Sequence, residues 1–365
     1  MSWTTRLSRG AAALCLSLTA LGAQGATAYS NMYVFGDSLS DSGNDLLLIG
    51  DVPSPDYYTD GTNIGRFTNG LNYADRLAAS FGLTVTPATT TATALPPQPT
   101  APIVNRNNYA HGGARTYGIW PQLEAIGGLG FNAQIDRYVN DAGGIADPNA
   151  LYVLWIGAND MSDLAVSVLD PRKDEAQIKA EISQGVGDTV GDIVTAFVTL
   201  QGLGAKNFLI GNSPDLSLTP AVRQLGAMYG PKVEPLFQAV SAGFNATLAY
   251  SLPFYTLPTS SVTIFDAFAL QTEMTNNPAA YGLTNVSGAC YDGPIEGIPG
   301  ANPADHMCST PNEYLYFDAE HPSATLHYWA ANALYAQLVP EPAGWALSLT
   351  ALGLMGFVSR RRARR

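Results

Sequence analysis

Leu151-Tyr152-Val153-Leu154-Trp155-Ile156-Gly157 is the stretch that decides the fold. Its unbroken apolarity is that of a strand covered on both faces, not of one that shows a face to water. Similar short runs stand at Met32–Gly36, Asn207–Gly211 and 262–265. Helical periods lie between them. Ile178, Ile182, Val186, Val190, Ile193, Phe197 and Leu200 recur at three- and four-residue steps, which puts one apolar stripe on a long helix. Leu326, Trp329, Ala330, Ala333 and Leu334 repeat the pattern in a helix starting near Ser323. Strands alternating with helices predict a three-layer α/β/α sandwich with a central, mainly parallel sheet. It is expected to form one domain over residues 29–338.

Both ends read differently from this body. Residues 1–28 carry Arg6 and Arg9, an apolar run from Ala11 to Leu21, and the small residues Ala26-Thr27-Ala28, the order of a secretory signal peptide. From Pro342 to Ser359 there is no charge, and Arg360-Arg361-Arg362-Ala363-Arg364-Arg365 follows. Such an uncharged stretch is long enough to cross a bilayer as a transmembrane helix, with the arginines on the cytoplasmic side. Residues 1–28 and 342–365 hold seven of the 18 bases and no acid, so the body between them carries a formal charge of −19. A body of that charge repels phosphate backbones, which argues against a nucleic-acid partner.

Cys15 falls in the leader, which leaves Cys290 and Cys308 in the mature region. In an oxidising compartment these two, within one Gly/Pro-rich segment, are expected to form a disulfide that pins a loop. They and the scattered histidines lack zinc-ligand spacing, so no metal is expected. Residues 84–102 hold seven Thr and five Pro, too many breakers for a regular element. Residues 276–312 are rich in Gly, Pro and Asn, and both stretches are expected to be loops, which often line the mouth of a site.

The candidate nucleophile is Ser38, in Gly36-Asp37-Ser38-Leu39-Ser40-Asp41-Ser42-Gly43-Asn44. It follows the first strand, where the C-terminal edge of a parallel sheet delivers side chains to the ligand crevice. Further on come Asn108-Tyr109-Ala110-His111-Gly112-Gly113-Ala114, Gly157-Ala158-Asn159-Asp160 and Asp318-Ala319-Glu320-His321-Pro322. An Asp-x-x-His spacing lets one short loop supply both an imidazole and the carboxylate that orients it.

In that order these segments resemble the sequence blocks of the GDSL, or SGNH, hydrolases, and Gly65-Arg66-Phe67-Thr68-Asn69-Gly70 is similar to a segment common in the lipase branch. The resemblance runs from about Tyr33 to Leu338. It implies a flavodoxin-like SGNH sandwich and a serine esterase or lipase. It makes Ser38 the nucleophile, His321 the general base and Asp318 its orienting acid. It also implies an oxyanion hole formed by Ser38, Gly113 and Asn159, with Gly112 the alternative to Gly113. No cofactor is implied. Lipid, lysophospholipid or short-chain esters are the expected substrates, with acyltransferase or carbohydrate-deacetylase activity, or a surface binding protein without turnover, as alternatives.

The tail, residues 339–365, resembles the PEP-CTERM sorting signal of Gram-negative bacteria, with Pro340-Glu341-Pro342 before the apolar stretch and the arginines. That resemblance implies an exosortase-type processing partner, transient membrane association and a secreted or cell-surface destination. Of the other histidines, His327 is expected to pack in the last helix. His306 is expected to be structural or at the pocket rim, and His111 adjoins the oxyanion glycines, where contact with substrate is the competing role.

Overall fold

The structure, a computed structural model, describes residues 29–49, 63, 65–89, 106–293 and 307–339. The expected leader, His306, most of the Thr/Pro-rich stretch and nearly all of the tail lie outside these residues. Among the described residues no helix is long and apolar enough to cross a membrane.

The strands are β1 (Met32–Gly36), β2 (Leu151–Trp155), β3 (Asn207–Gly211), β4 (Ser261–Phe265), β5 (Asn285–Ala289) and β6 (Tyr314–Tyr316). The helices are α1 (Asn44–Ile49), α2 (Tyr73–Ser80), α3 (Pro121–Glu124), α4 (Phe131–Asp141), α5 (Ala158–Ser167) and α6 (Glu175–Gly202). They continue with α7 (Pro220–Tyr229), α8 (Val233–Tyr255), α9 (Ala267–Asn276) and α10 (Ala324–Leu338). β1 to β4 form one parallel sheet in the order β1-β2-β3-β4. Their register aligns Gly36, Trp155, Gly211 and Phe265 at one edge, so every crossover returns a loop to the same rim. Ligand crevices form at that C-terminal edge.

Alternation along the strands sends side chains to two layers. On one face Phe35, Tyr152, Leu154, Phe208 and Ile210 pack with Ile135 and Tyr138 of α4, Phe197 of α6 and Phe244 of α8. On the other, the Trp155 ring meets Tyr73 of α2 at 4.6 Å between centroids and Phe265 at 5.3 Å. Gly211 is required beside it, because a Cβ there would stand 2.4 Å from the indole. The sandwich with a mainly parallel sheet is therefore the observed fold. The long helix is α6, with the expected stripe at Val186, Val190, Ile193, Phe197 and Leu200 buried.

The 276–312 region is not wholly loop. β5 and β6 pair in a second, two-stranded parallel sheet, and Cys290 is bonded to Cys308 beside it. Cys290 N–H donates to the Tyr316 carbonyl and Tyr291 N–H to the Phe317 carbonyl, which ties the bonded cysteines to the segment entering Asp318.

Candidate active site

Ser38 stands two residues past the end of β1, on a turn the sequence leaves little freedom to rearrange. At Gly36 a Cβ would lie 2.3 Å from the Trp155 carbonyl oxygen and 2.9 Å from Ser40 Oγ, so only glycine fits. Both polar groups of that residue are held by one buried amide. Gly36 N–H donates to Gln134 Oε1 at 2.9 Å, and Gln134 Nε2 donates to the Gly36 carbonyl at 2.8 Å. Beyond it, the N–H groups of Ser40 and Asp41 both donate to the Asp37 carbonyl at 3.0 Å, winding the chain into a turn around Ser38.

A buried polar network fixes this turn from the other side. Asp41 accepts the N–H groups of Gly43, Asn44 and Asp45. Asn44 Nδ2 donates to the carbonyls of Asn108 and Ala110, while Asn108 Nδ2 donates to the Ser40 carbonyl and lies 3.0 Å from Ser42 Oγ. Groups this deeply buried are costly unless paired, so their mutual bonding specifies one geometry. His111 belongs to this network and not to the substrate cleft. Its Nδ1 lies 2.9 Å from Asp45 Oδ1, and burial pushes its pKa down to about 4.

Asp318 and His321 occupy one tight loop between β6 and α10. Asp318 Oδ1 accepts the N–H groups of Glu320 at 2.8 Å and His321 at 2.6 Å, and Oδ2 is 2.7 Å from His321 Nδ1. His321 Nε2 is then 2.8 Å from Ser38 Oγ. The partners assign the tautomer, with Nδ1–H donating to Asp318 and Nε2 accepting from Ser38. Burial acts to lower the imidazole pKa, but the carboxylates of Asp318, Glu320 and Asp37 outweigh it and hold His321 above the ordinary histidine value.

Phe67, Thr68 and Asn69, from the lipase-like segment, buttress that loop. Thr68 Oγ1 donates to the Pro322 carbonyl at 2.9 Å, and Ala324 N–H donates to Asn69 Oδ1 at 2.9 Å. The Phe67 ring sits 5.1 Å from the imidazole.

Gly113 and Asn159, two of the three expected oxyanion donors, sit on two tied segments. Gly113 has φ +69°, a conformation that favours glycine, and its carbonyl accepts from Arg115 Nη1 at 2.6 Å. Arg115 is itself forked onto Asp163 at 2.7 and 2.9 Å and lies over the Trp120 ring. Gly112 is packed against the same buried network, for a Cβ there would lie 2.5 Å from Asp45 Oδ2. Asn159, in the first turn of α5, donates one amide hydrogen to the Ala114 carbonyl at 2.9 Å. Asp160 accepts both the N–H and the hydroxyl of Thr116, a second tie between the segments.

Ser38, Asn159 and His321 open on a cleft of about 210 Å³ with a largely apolar wall that includes Val166, Leu216, Val222, Leu225 and Leu270. Asp318 is fully buried behind the imidazole. Gly113 adjoins this set through Ala114, whose carbonyl accepts from Asn159. His327 packs as expected: its Nδ1 accepts the Tyr73 N–H at 3.2 Å, and burial lowers its pKa to about 3. Gln134 and Arg115 escaped sequence reasoning, and Thr68 and Asn69 were singled out only as part of a lipase-like segment without a role, because each acts on a partner chosen by the fold. Among the described residues no group of three or more His, Cys, Asp or Glu side chains could hold a metal ion.

Among proteins of known function, the chain is 29% identical to a phosphatidylcholine-sterol acyltransferase of Aeromonas hydrophila, over 90% of this chain and 83% of that one. It is also 29% identical to esterase EstA of Pseudomonas aeruginosa, over 93% of this chain; the match spans about half of that longer protein. A crystal structure of a lipolytic G-D-S-L family protein from Veillonella parvula aligns with a TM-score of 0.38 and 13% identity, over 84% of this chain and 95% of that one. Residues 32–334 match the family described as GDSL-like Lipase/Acylhydrolase, a span that contains Ser38, Asn159 and the Asp318–His321 loop. The chain belongs to the GDSL-like lipase/acylhydrolase family.

Proposed function

We propose that this protein is a secreted serine ester hydrolase that works through Ser38, His321 and Asp318. The observation that carries the reading is the unbroken chain of contacts Ser38 Oγ, His321 Nε2, His321 Nδ1 and Asp318 Oδ2, at 2.8 and 2.7 Å, open to an apolar cleft. His321 takes the Ser38 proton as Oγ bonds to the ester carbonyl carbon. The carbonyl oxygen becomes an oxyanion facing the N–H groups of Ser38 and Gly113 and the Asn159 amide. The intermediate collapses, the C–O bond to the alcohol breaks, and His321 returns the proton to the leaving alkoxide. Water, deprotonated by His321, then attacks the acyl-serine, and Ser38 leaves with the proton as the carboxylic acid is freed.

The largely apolar wall supports acyl chains as the group held there. The likeness to an acyltransferase favours a second outcome at the same site, in which an alcohol replaces water in the second half-reaction. Export by the leader, and recognition of the tail by an exosortase-type enzyme at the membrane, complete the proposal; both rest on the sequence alone.

A panel of nitrophenyl esters from two to sixteen acyl carbons, with phospholipid and acetylated sugar alongside, tests the reading. Turnover by the wild type that is lost in Ser38→Ala is expected. Correctly folded wild type that hydrolyses none of them would refute it and favour a binding role.

A further inference from the structure

The Asp318–His321 loop carries a second acid that the ester chemistry does not use. Glu320 belongs to the cleft wall, next in the chain to the imidazole, and is exposed, so its side chain is open to a bound molecule. Its N–H donates to Asp318 Oδ1 at 2.8 Å, which fixes the backbone from which the side chain leaves. Among the described residues no hydrogen bond or ion pair engages its carboxylate. Burial against the wall raises its pKa, and the charges acting on it come from both banks of the cleft. His321 and Asp318 act from its own loop, Arg115 and Asp163 from the segments that carry Gly113 and Asn159. The two basic groups among these are already engaged: Arg115 is forked onto Asp163, and His321 is paired with Asp318. A carboxylate that has lost part of its hydration and gained no counter-ion attracts a bound cation more strongly than it would in water.

The mechanism says which part of an ester meets that carboxylate. His321 returns its proton to the leaving alkoxide, so the alcohol lies against the imidazole as the intermediate collapses, one residue from Glu320. The acyl part has the apolar wall of Val166, Val222, Leu225 and Leu270. We infer that Glu320 is a specificity-determining residue that favours esters whose leaving alcohol carries a positive charge a few bonds from the scissile oxygen. An ammonium group there pairs with the carboxylate at the mouth, a neutral group of the same shape gains nothing, and an anionic one is repelled. The inference rests on the ester-hydrolase reading of the cleft.

Two series of isosteric pairs test it. One compares choline alkanoates with the matching tert-butylethyl alkanoates, in which a carbon replaces the ammonium nitrogen. The other moves the charge to the acyl end, comparing nitrophenyl esters of ω-trimethylammonio acids with those of ω-tert-butyl acids. The readout is the ratio of kcat/KM, cationic over neutral, in wild type, Glu320→Gln and Glu320→Lys. Each ratio is taken within one enzyme, so the change that losing the Glu320 charge also brings to the His321 pKa cancels. In the alcohol series the ratio is expected to fall about three- to five-fold from wild type to Glu320→Gln, and further in Glu320→Lys. The wild-type ratio should approach that of Glu320→Gln as salt is raised to about 1 M. Equal ratios in wild type and Glu320→Gln in both series would overturn the inference. A change confined to the acyl series would overturn the assignment to the leaving alcohol.

Calorimetric binding of the same pairs to Ser38→Ala, with and without Glu320→Gln, reads the preference without turnover. Loss of turnover on all esters with a retained binding ratio would refute the hydrolase reading and keep the role of Glu320. Should Glu320→Gln fail to fold, the Glu320→Lys ratio decides.

Discussion

Replacing Gln134 by Met keeps the length of the side chain and removes both of its hydrogen-bonding ends. The Gly36 N–H lies on the side of β1 where Val34 bonds to Asn107, and Gln134 Oε1 is its acceptor. The variant strands that donor in the interior, at about 1–3 kcal/mol. The Gly36 carbonyl keeps the His111 N–H at 3.3 Å, so its lost bond from Nε2, with that to the Leu129 carbonyl, adds about 0.5–1.5 kcal/mol each. The sum is about 2–6 kcal/mol, large against the stability of an ordinary domain. Because Ser38 follows Gly36 by two residues, the same change loosens the nucleophile. Small misplacements of a reacting group cost up to about 10² in rate. Denaturant unfolding and nitrophenyl ester kinetics check both effects, with kcat falling more than KM changes. Stability within about 0.5 kcal/mol of wild type and unaltered kcat would refute the idea that Gln134 holds the end of β1.

Three more outcomes are expected. Asp318→Asn removes the main influence that raises the His321 pKa and leaves burial to lower it, so the ascending limb of the pH–rate profile should move to lower pH. The rate itself should fall by about 10⁴, and an unmoved limb would contradict the assignment. Asn159→Ala should lower kcat by about 10²–10³ if its amide meets the oxyanion; a loss confined to KM would instead make it a ground-state binding residue. His327 is neutral in the fold with its pKa at about 3, so its contribution to stability is full above about pH 6.5 and is lost as the pH falls towards 3. Between pH 7 and pH 5 this amounts to about 2 kcal/mol. In urea unfolding, His327→Asn should lose that much less stability than wild type over the same interval, and equal losses would rule the account out.

What the sequence made legible is what local spacing encodes. The apolar runs at β1 to β3 and the stripe of α6 follow from periodicity alone. The Asp-x-x-His spacing foretold a shared loop, since an aspartate can accept the N–H of a residue three positions on while turning its other oxygen to that residue's ring. The buttress was not legible, because Thr68 and Pro322 are 254 residues apart and nothing in either neighbourhood signals the other. Gln134 reads in sequence as one more polar position on a helix that carries its own apolar stripe. β5 was hidden among Gly, Ser and Asn, which lack strand propensity, and β6 is only the three residues Tyr314–Tyr316; their pairing lies beside the cysteine bond.

The most direct test of the central claim is the mass and position of a covalent adduct formed with a fluorophosphonate probe on the folded protein. One stoichiometric adduct is expected on the peptide containing Ser38, formed faster as the pH rises through the His321 titration, and none in Ser38→Ala. A folded wild type that takes no label, or an adduct on another residue with esterase activity persisting in Ser38→Ala, would contradict it.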